Sequence, residues 1–182
     1  FPAVISFLDC IWQTYYIFPM KISSTVEWAI HCCSLLAGLP KETSLTGKEL
    51  AEFHGVPHPY LAKALQTLSH DGILNTVSGP KGGYQLAKKP NKVSLLDIVL
   101  SIEGNDPCFE CDEIRRKGPT ALEKSPSYKR PCLIASAMWN AEKVWRDELA
   151  KVKLSDLLEQ VKSKVDPRQL KKAQKWIEQR KA

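Results

Sequence analysis

Residues 46–86 place three local demands in a row that few folds satisfy together. Thr46-Gly47-Lys48-Glu49 is a capping box: the Thr hydroxyl takes an orphan backbone N–H while the Glu three residues on reaches back. A short helix follows, with Leu50, Ala51 and Phe53 predicted to face inward. Gly55 supplies a left-handed stop, and Pro57 and Pro59 fix the start of a second helix. Tyr60, Leu61, Ala64, Leu65 and Leu68 recur at helical spacing and predict its buried face. Pro59, Lys63, Gln66, Thr67 and His70 occupy the other face. Two helices joined by a tight Gly turn form a helix-turn-helix, whose second helix is shaped to lie in a major groove.

The next residues narrow the fold further. Ile73-Leu74-Asn75-Thr76-Val77 reads as a strand, and Tyr84-Gln85-Leu86 as its return. Between them, Ser78-Gly79-Pro80-Lys81-Gly82-Gly83 is a turn that no helix contains. This predicts a β-hairpin with a basic, Gly-rich tip: a wing. Glycine lets backbone N–H groups approach phosphates closely, and Lys81 adds charge. A winged helix used only for protein contacts is the alternative. The polar helix face together with the basic tip favours DNA.

The remaining chain extends this core without repeating it. Residues 1–19 are apolar and aromatic but interrupted by Asp9, Gln13 and Thr14. They lack a basic n-region and a small-residue cleavage site, and read as an upstream extension before a start at Met20. A first helix is expected over 22–39, capped by Ser23 or Ser24, with Val26, Ala29, Ile30, Cys33, Leu36 and Ala37 buried. Ser94 with Asp97 caps a short apolar helix, so 20–104 reads as the winged helix-turn-helix domain. Residues 105–132 form a cysteine-bearing loop. Residues 133–165 hold a long helix and a shorter one capped by Ser155. The long helix carries Ile134, Ala137, Met138, Ala141, Val144, Trp145 and Leu149, a stripe too wide for a lone surface helix, so a homodimer is expected. Residues 166–182 form a basic tail or helix with Pro167 at its first position; from Pro167 onward, Arg168, Lys171, Lys172, Lys175, Arg180 and Lys181 stand against Glu178 alone. The formal net charge of +6 suits a polyanion partner.

The loop spacing is Cys108-x2-Cys111-x20-Cys132. Six cysteines without a signal peptide point to a reducing cytoplasm rather than a disulfide scaffold. Thiolates at such spacing bind soft metals. The loop has no fourth Cys and no His, so missing ligands must come from elsewhere. Three unrelated thiols remain the plain alternative. Glu27 and His31 are one helical turn apart and share a face, which by itself implies only a surface ion pair.

Several segments carry a resemblance: Met20-Lys21-Ile22-Ser23, Tyr60-Leu61-Ala62-Lys63, the wing Gly79-Pro80-Lys81-Gly82-Gly83-Tyr84, and the cysteine loop with Cys132-Leu133-Ile134-Ala135. From Met20 to about Val161 the chain resembles the bacterial iron–sulfur winged-helix regulators, the family of IscR and NsrR. Val26-Glu27-Trp28-Ala29-Ile30-His31-Cys32-Cys33 and Phe109-Glu110-Cys111-Asp112-Glu113-Ile114-Arg115 are most similar to its redox-sensing RsrR branch. That resemblance implies a 2Fe-2S cluster held by Cys111 and Cys132 of one subunit and by Glu27 and His31 of the other. Cys108 is an additional thiol in this chain, so three-Cys ligation stays open. Replacing thiolate by neutral imidazole raises a cluster's potential.

The sequence therefore predicts a mainly α fold with a small β wing and a long dimerisation helix. It describes a homodimeric, cytoplasmic regulator, a repressor, that binds a double-stranded DNA operator under control of a redox-active cluster. It suggests no membrane partner, and no nucleophile–base pair or cleft of an enzyme. His58, Pro59, Lys63 and Gln66 are its expected major-groove residues, with Lys81, Gly82 and Gly83 at the minor groove or its phosphates. Two alternatives remain: a cluster-free regulator sensing thiols through Cys108 and Cys111, and a zinc-stabilised protein-interaction module.

Overall fold

The helix-turn-helix forms because its local signals and its burial agree. In the computed structural model, which describes residues 22–79 and 82–181, Thr46 Oγ1 accepts the Glu49 N–H at 3.2 Å. The Glu49 carboxylate in turn accepts the Thr46 N–H at 2.7 Å. This opens α2 (Gly47–His54), and Gly55 closes it at φ 65°, a conformation that costs other residues a Cβ clash. The second helix, α3 (His58–His70), buries Leu61, Ala64, Leu65 and Leu68. Each fully buried leucine there contributes about 1.5–3 kcal/mol. Tyr60 departs from expectation: its side chain is 70% exposed. It precedes Leu61 by one position, about 100° around the helix, and so turns onto the polar face with Pro59 and Lys63.

Around this pair sit the other elements. The first helix, α1 (Ser24–Ala37), is two residues shorter at each end than the periodicity implied. It buries Val26, Ala29, Cys32, Cys33 and Leu36, while Ile30 and Ala37 are only half-buried. Ser23 is its N-cap but makes no side-chain cap bond; its own N–H donates to Glu103 Oε1 at 3.0 Å. Strands β1 (Leu74–Val77) and β2 (Gly83–Leu86) pair antiparallel, Leu74 opposite Leu86 and Val77 opposite Gly83. An isolated bridge from Leu45 to Tyr84 adds a third short edge and fixes the wing to the approach to α2.

Ser94 and Asp97 cap α4 (Leu95–Glu103) as predicted, with Asp97 N–H donating to Ser94 Oγ at 3.1 Å. The long helix α5 (Leu133–Lys151) has the predicted bounds. The next, α6 (Leu154–Lys164), begins two residues earlier than a Ser155 cap would place it. The Asp156 carboxylate accepts the Lys153 N–H at 2.9 Å instead, and Lys153 bridges back to Ser94. The core joins α1, α2, α3, α4 and β1 through Leu36, Leu50, Leu65, Leu74 and Ile98, and Leu154 of α6 completes it.

Two parts lie against this core differently. On α5, Ala135 alone is buried, whereas Leu133, Ile134, Met138, Trp139 and Val144 are exposed on a single chain. The last helix, α7 (Pro167–Lys181), has Pro at its first position and packs back onto α2. Trp176 meets Phe53 edge-on at 5.1 Å, and Arg180 bonds Glu52 at 2.5 Å. Among the described residues no helix is long and apolar enough to cross a membrane. Residues 1–19, Met20 and Lys81 lie outside the described residues.

Candidate nucleic-acid interface and cysteine pair

The outer face of α3 presents Pro59, Tyr60, Lys63 and Gln66, all exposed. Lys63 and Gln66 are one turn apart, so their heads can follow one groove. Thr67 is turned inward against its own helix, its hydroxyl donating to the Lys63 carbonyl at 3.1 Å. His58 does not project with them. It is half-buried, and its Nε2 lies 3.2 Å from where a side chain on Gly47 would begin, so it braces α3 against α2. Tyr60 is the residue that periodicity missed. The sequence signal for it was its place directly after Pro59 and three residues before Lys63.

At the wing, Gly82 N–H donates to the Gly79 carbonyl at 2.9 Å, which closes the turn. A Cβ on Gly82 would meet the Val77 carbonyl oxygen at 2.3 Å, and one on Gly83 the Leu45 oxygen at 2.4 Å. These are backbone atoms, so neither can swing aside. The small residues are therefore needed for the hairpin itself, whatever they also allow at a phosphate. Gly83→Ala is expected to break the Leu45–Tyr84 bridge, lower stability by about 1–3 kcal/mol and weaken DNA binding. Thermal unfolding with a gel-shift titration checks this. Unchanged values for both would show that the wing tolerates the side chain.

The cysteine loop is organised by one arginine. Arg115 Nε and Nη2 bond both oxygens of Glu113, at 2.7 and 3.1 Å. Its Nη1 and Nη2 donate to the carbonyls of Ser127 and Arg130, at 3.1 and 2.5 Å. Glu113 lies two residues after Cys111, and Arg130 two before Cys132, so the guanidinium ties together the two arms that carry the thiols. Tyr128 seals the loop: its hydroxyl donates to the Arg115 carbonyl and accepts the Leu122 N–H, each at 3.1 Å. Glu113 sits at φ 48°, a strained conformation for a side chain with a Cβ, held by its salt bridge to Arg115.

The result is a thiol pair. Cys132 is the N-cap of α5, and Cys111 lies near enough to act on its thiol. The backbone N–H groups of Ala135 and Ile134 hold its thiol below the usual cysteine pKa, with Arg115 and Cys111 adding to the effect. Helix N-termini stabilise thiolates in this way. Cys108 stands apart. It is exposed, and its backbone N–H donates to Glu142 Oε2 at 3.0 Å. The fold therefore sets Cys111 near Cys132, the two thiols that the resemblance named; the thiol-sensing alternative had paired Cys111 with Cys108. Burial pushes the Cys32 thiol up to about 12 and that of Cys33 higher still, which leaves both as core residues.

Glu27 and His31 share one exposed face of α1, as their spacing requires. They line an open cleft of about 430 Å³ with Ile22, Ile30, Val99 and Leu149. The His31 ring lies 5.6 Å from that of His54, the last residue of α2. His54 Nε2 is buried and has no partner among the described residues. Burial first, and His31 second, lower the His54 pKa to about 4, so it is neutral at pH 7. No three of the described His, Cys, Asp and Glu residues gather at one point within the chain. Within the chain the two thiols at the start of α5 and the Glu27–His31 pair on α1 therefore stand as separate groups.

The chain matches the family Rrf2, described as iron-dependent transcriptional regulators, over residues 22–160. A transcriptional regulator of the helix-turn-helix type from Aquifex aeolicus, so named by prediction, is 39% identical over 80 residues, 44% of this chain and 55% of that one. The regulator NsrR of Shouchella clausii is 27% identical over 92 residues, 50% of this chain and 62% of NsrR. The chain therefore spans little more than half of these two relatives. Among solved structures, T. potens IscR superposes with a TM-score of 0.60 at 21% identity, over 82% of this chain and 94% of that one. The oxidized form of Staphylococcus aureus CymR gives 0.57 at 24% identity, over 77% and 97%. These last two show the fold, a winged helix carried with a long helix. With its helix-turn-helix, wing and thiol-bearing loop all inside the matched residues, the chain belongs to the Rrf2 family of transcriptional regulators.

Proposed function

We propose that this chain is a homodimeric repressor, working in the reducing cytoplasm, whose binding to a double-stranded DNA operator is controlled by a 2Fe-2S cluster of the RsrR type. The observation that carries the reading is the Cys111–Cys132 pair, assembled by Arg115 at the foot of the helix with the exposed apolar stripe. That stripe is where a second copy would bury area, and a second copy would bring Glu27 and His31 to the thiols. The donor set fits the group: thiolates suit iron, and His with Glu completes an asymmetric site. A cluster bound there would supply a one-electron change in charge. His31 would hold it, and His31 already touches His54 at the end of α2. A change at His31 therefore reaches the helix-turn-helix through one ring contact, and can alter the setting of α3.

A second reading has its own support. The same two thiols lie near one another without metal, and CymR, whose fold is shared, is known in an oxidized form. The DNA face is the same in both readings. On it, Gln66 is the base reader, because an amide can pair bidentately with adenine, while Lys63 contacts phosphate. Gln66→Ala is expected to cost about 1–3 kcal/mol on the preferred duplex only. Lys63→Ala should weaken all duplexes alike and lower the salt slope by about one unit. Titrations on the preferred and random duplexes check both. Equal losses for Gln66→Ala on the two would remove it as a base reader.

A further inference from the structure

We infer that α7 is an additional DNA-backbone contact, a basic helix mounted on the helix-turn-helix that grips phosphates flanking the operator core. It lies beyond residue 160, outside the part of the chain that the family match covers. This rests on the reading that α2 and α3 face DNA.

The mounting is specific. Leu170, Ala173, Trp176, Ile177 and Arg180 form the packed face of α7, with Ile177 buried. Trp176 meets Phe53 of α2, and Arg180 both covers the Trp176 ring at 3.7 Å and bonds Glu52. Helix α7 therefore moves with α2 as one body. Glu52 shares an exposed face of α2 with Lys48, one turn nearer the N-terminal end, where backbone N–H groups of a helix-turn-helix meet phosphate.

The opposite face is purely cationic where it counts. Lys171, Lys172 and Lys175 are exposed and lie within one turn of one another. Among the described residues none of them has a hydrogen bond or ion pair. Arg168 is matched by Asp166, and Glu178 is taken by Gln174. Like charges on neighbouring turns destabilise a helix, and a polyanion relieves that repulsion. At 1.5 Å per residue, Lys175 and Lys171 stand about 7.5 and 13.5 Å along the axis from Arg180, so they extend the basic surface away from α2. An acidic membrane is a poorer partner. Membrane-bound helices insert an apolar face, and the apolar face of α7 is already spent on α2.

The test uses the full chain and a duplex that the protein itself enriches from a random-sequence pool. The variant K171A/K172A/K175A should lower the slope of log K against log salt by about 0.9 for each phosphate no longer neutralised, and shorten the hydroxyl-radical footprint at its outer edges. K171R/K172R/K175R should keep slope and footprint, because only charge is needed. Trp176→Ala, which keeps the charge but loosens the mounting, should shorten the footprint too. An unchanged slope in the Ala variant, with Lys63→Ala still weakening binding, would overturn the α7 contact alone. Indifference of the duplex to both variants would instead overturn the DNA face of α3. Binding to vesicles of acidic phospholipid that the Ala variant loses, with an unchanged DNA slope, would also overturn it.

Discussion

Cys111→Ala and Cys132→Ala are each expected to abolish the iron and sulfide content proposed for the anaerobically purified protein, while Cys108→Ala is expected to keep a full complement. The expectation follows from where the fold puts each sulfur. Cys111 and Cys132 are in reach of one another, and Cys132 has backbone N–H groups ready to stabilise its thiolate. Cys108 is exposed, and both its backbone N–H and its side chain are directed at Glu142 rather than at the other two thiols. In the proposed ligand set of two thiolates, one imidazole and one carboxylate, no position would be left for Cys108. His31→Ala should then change the visible spectrum, because nitrogen ligation affects the cluster's electronic structure and potential. Loss of iron from Cys108→Ala together with an unchanged spectrum in His31→Ala would favour three-Cys ligation. A normal cluster in Cys111→Ala would defeat either ligand set.

Arg115→Ala should cost the site nearly as much, although Arg115 touches no iron in this account. Four hydrogen bonds from one guanidinium hold Glu113, Ser127 and Arg130 together, and the two thiols hang from the ends of those arms. Without it, the strained Glu113 keeps only the longer ion pair to Arg116 at 3.5 Å, and the arms are expected to separate. Outer groups that position ligands are typically worth 10–100-fold in metal affinity, and that is the expected loss. Arg115→Lys should not rescue it, since an ammonium cannot reproduce a planar fork of five donors. The readout independent of any cluster is the rate at which a short bifunctional thiol reagent bridges Cys111 and Cys132 in the metal-free protein. That rate should fall sharply in both variants. A wild-type rate in Arg115→Ala would show that the thiol pair is held by α5 and not by the arginine.

What the sequence could reveal here was local. The capping boxes of Thr46 with Glu49 and Ser94 with Asp97, the left-handed Gly55 and the bounds of α5 depend on residues within a turn or two of each other. Tyr60 was misplaced because periodicity cannot say on which side a boundary residue falls; the burial of Leu61 decides it. The contacts that give the site its character join distant residues. Arg180 meets Glu52 across 128 positions, Trp176 finds Phe53, and His31 finds His54 only because α1 crosses the end of α2. Spacing alone left the three thiols unassigned, and only the resemblance named Cys111 with Cys132. Arg115 draws in the arm before Cys132, which no local pattern signals.

The central claim is that the charge state of a cluster at this site sets operator affinity. The most direct test is one anaerobic titration of the enriched duplex by fluorescence anisotropy, before and after reduction with dithionite, with the visible spectrum read on the same sample. The account predicts a brown protein whose absorption bleaches on reduction, with an operator affinity that changes at least about five-fold, the scale of a typical coupling between sites. A colourless protein, or a cluster that bleaches while affinity stays constant, would contradict it.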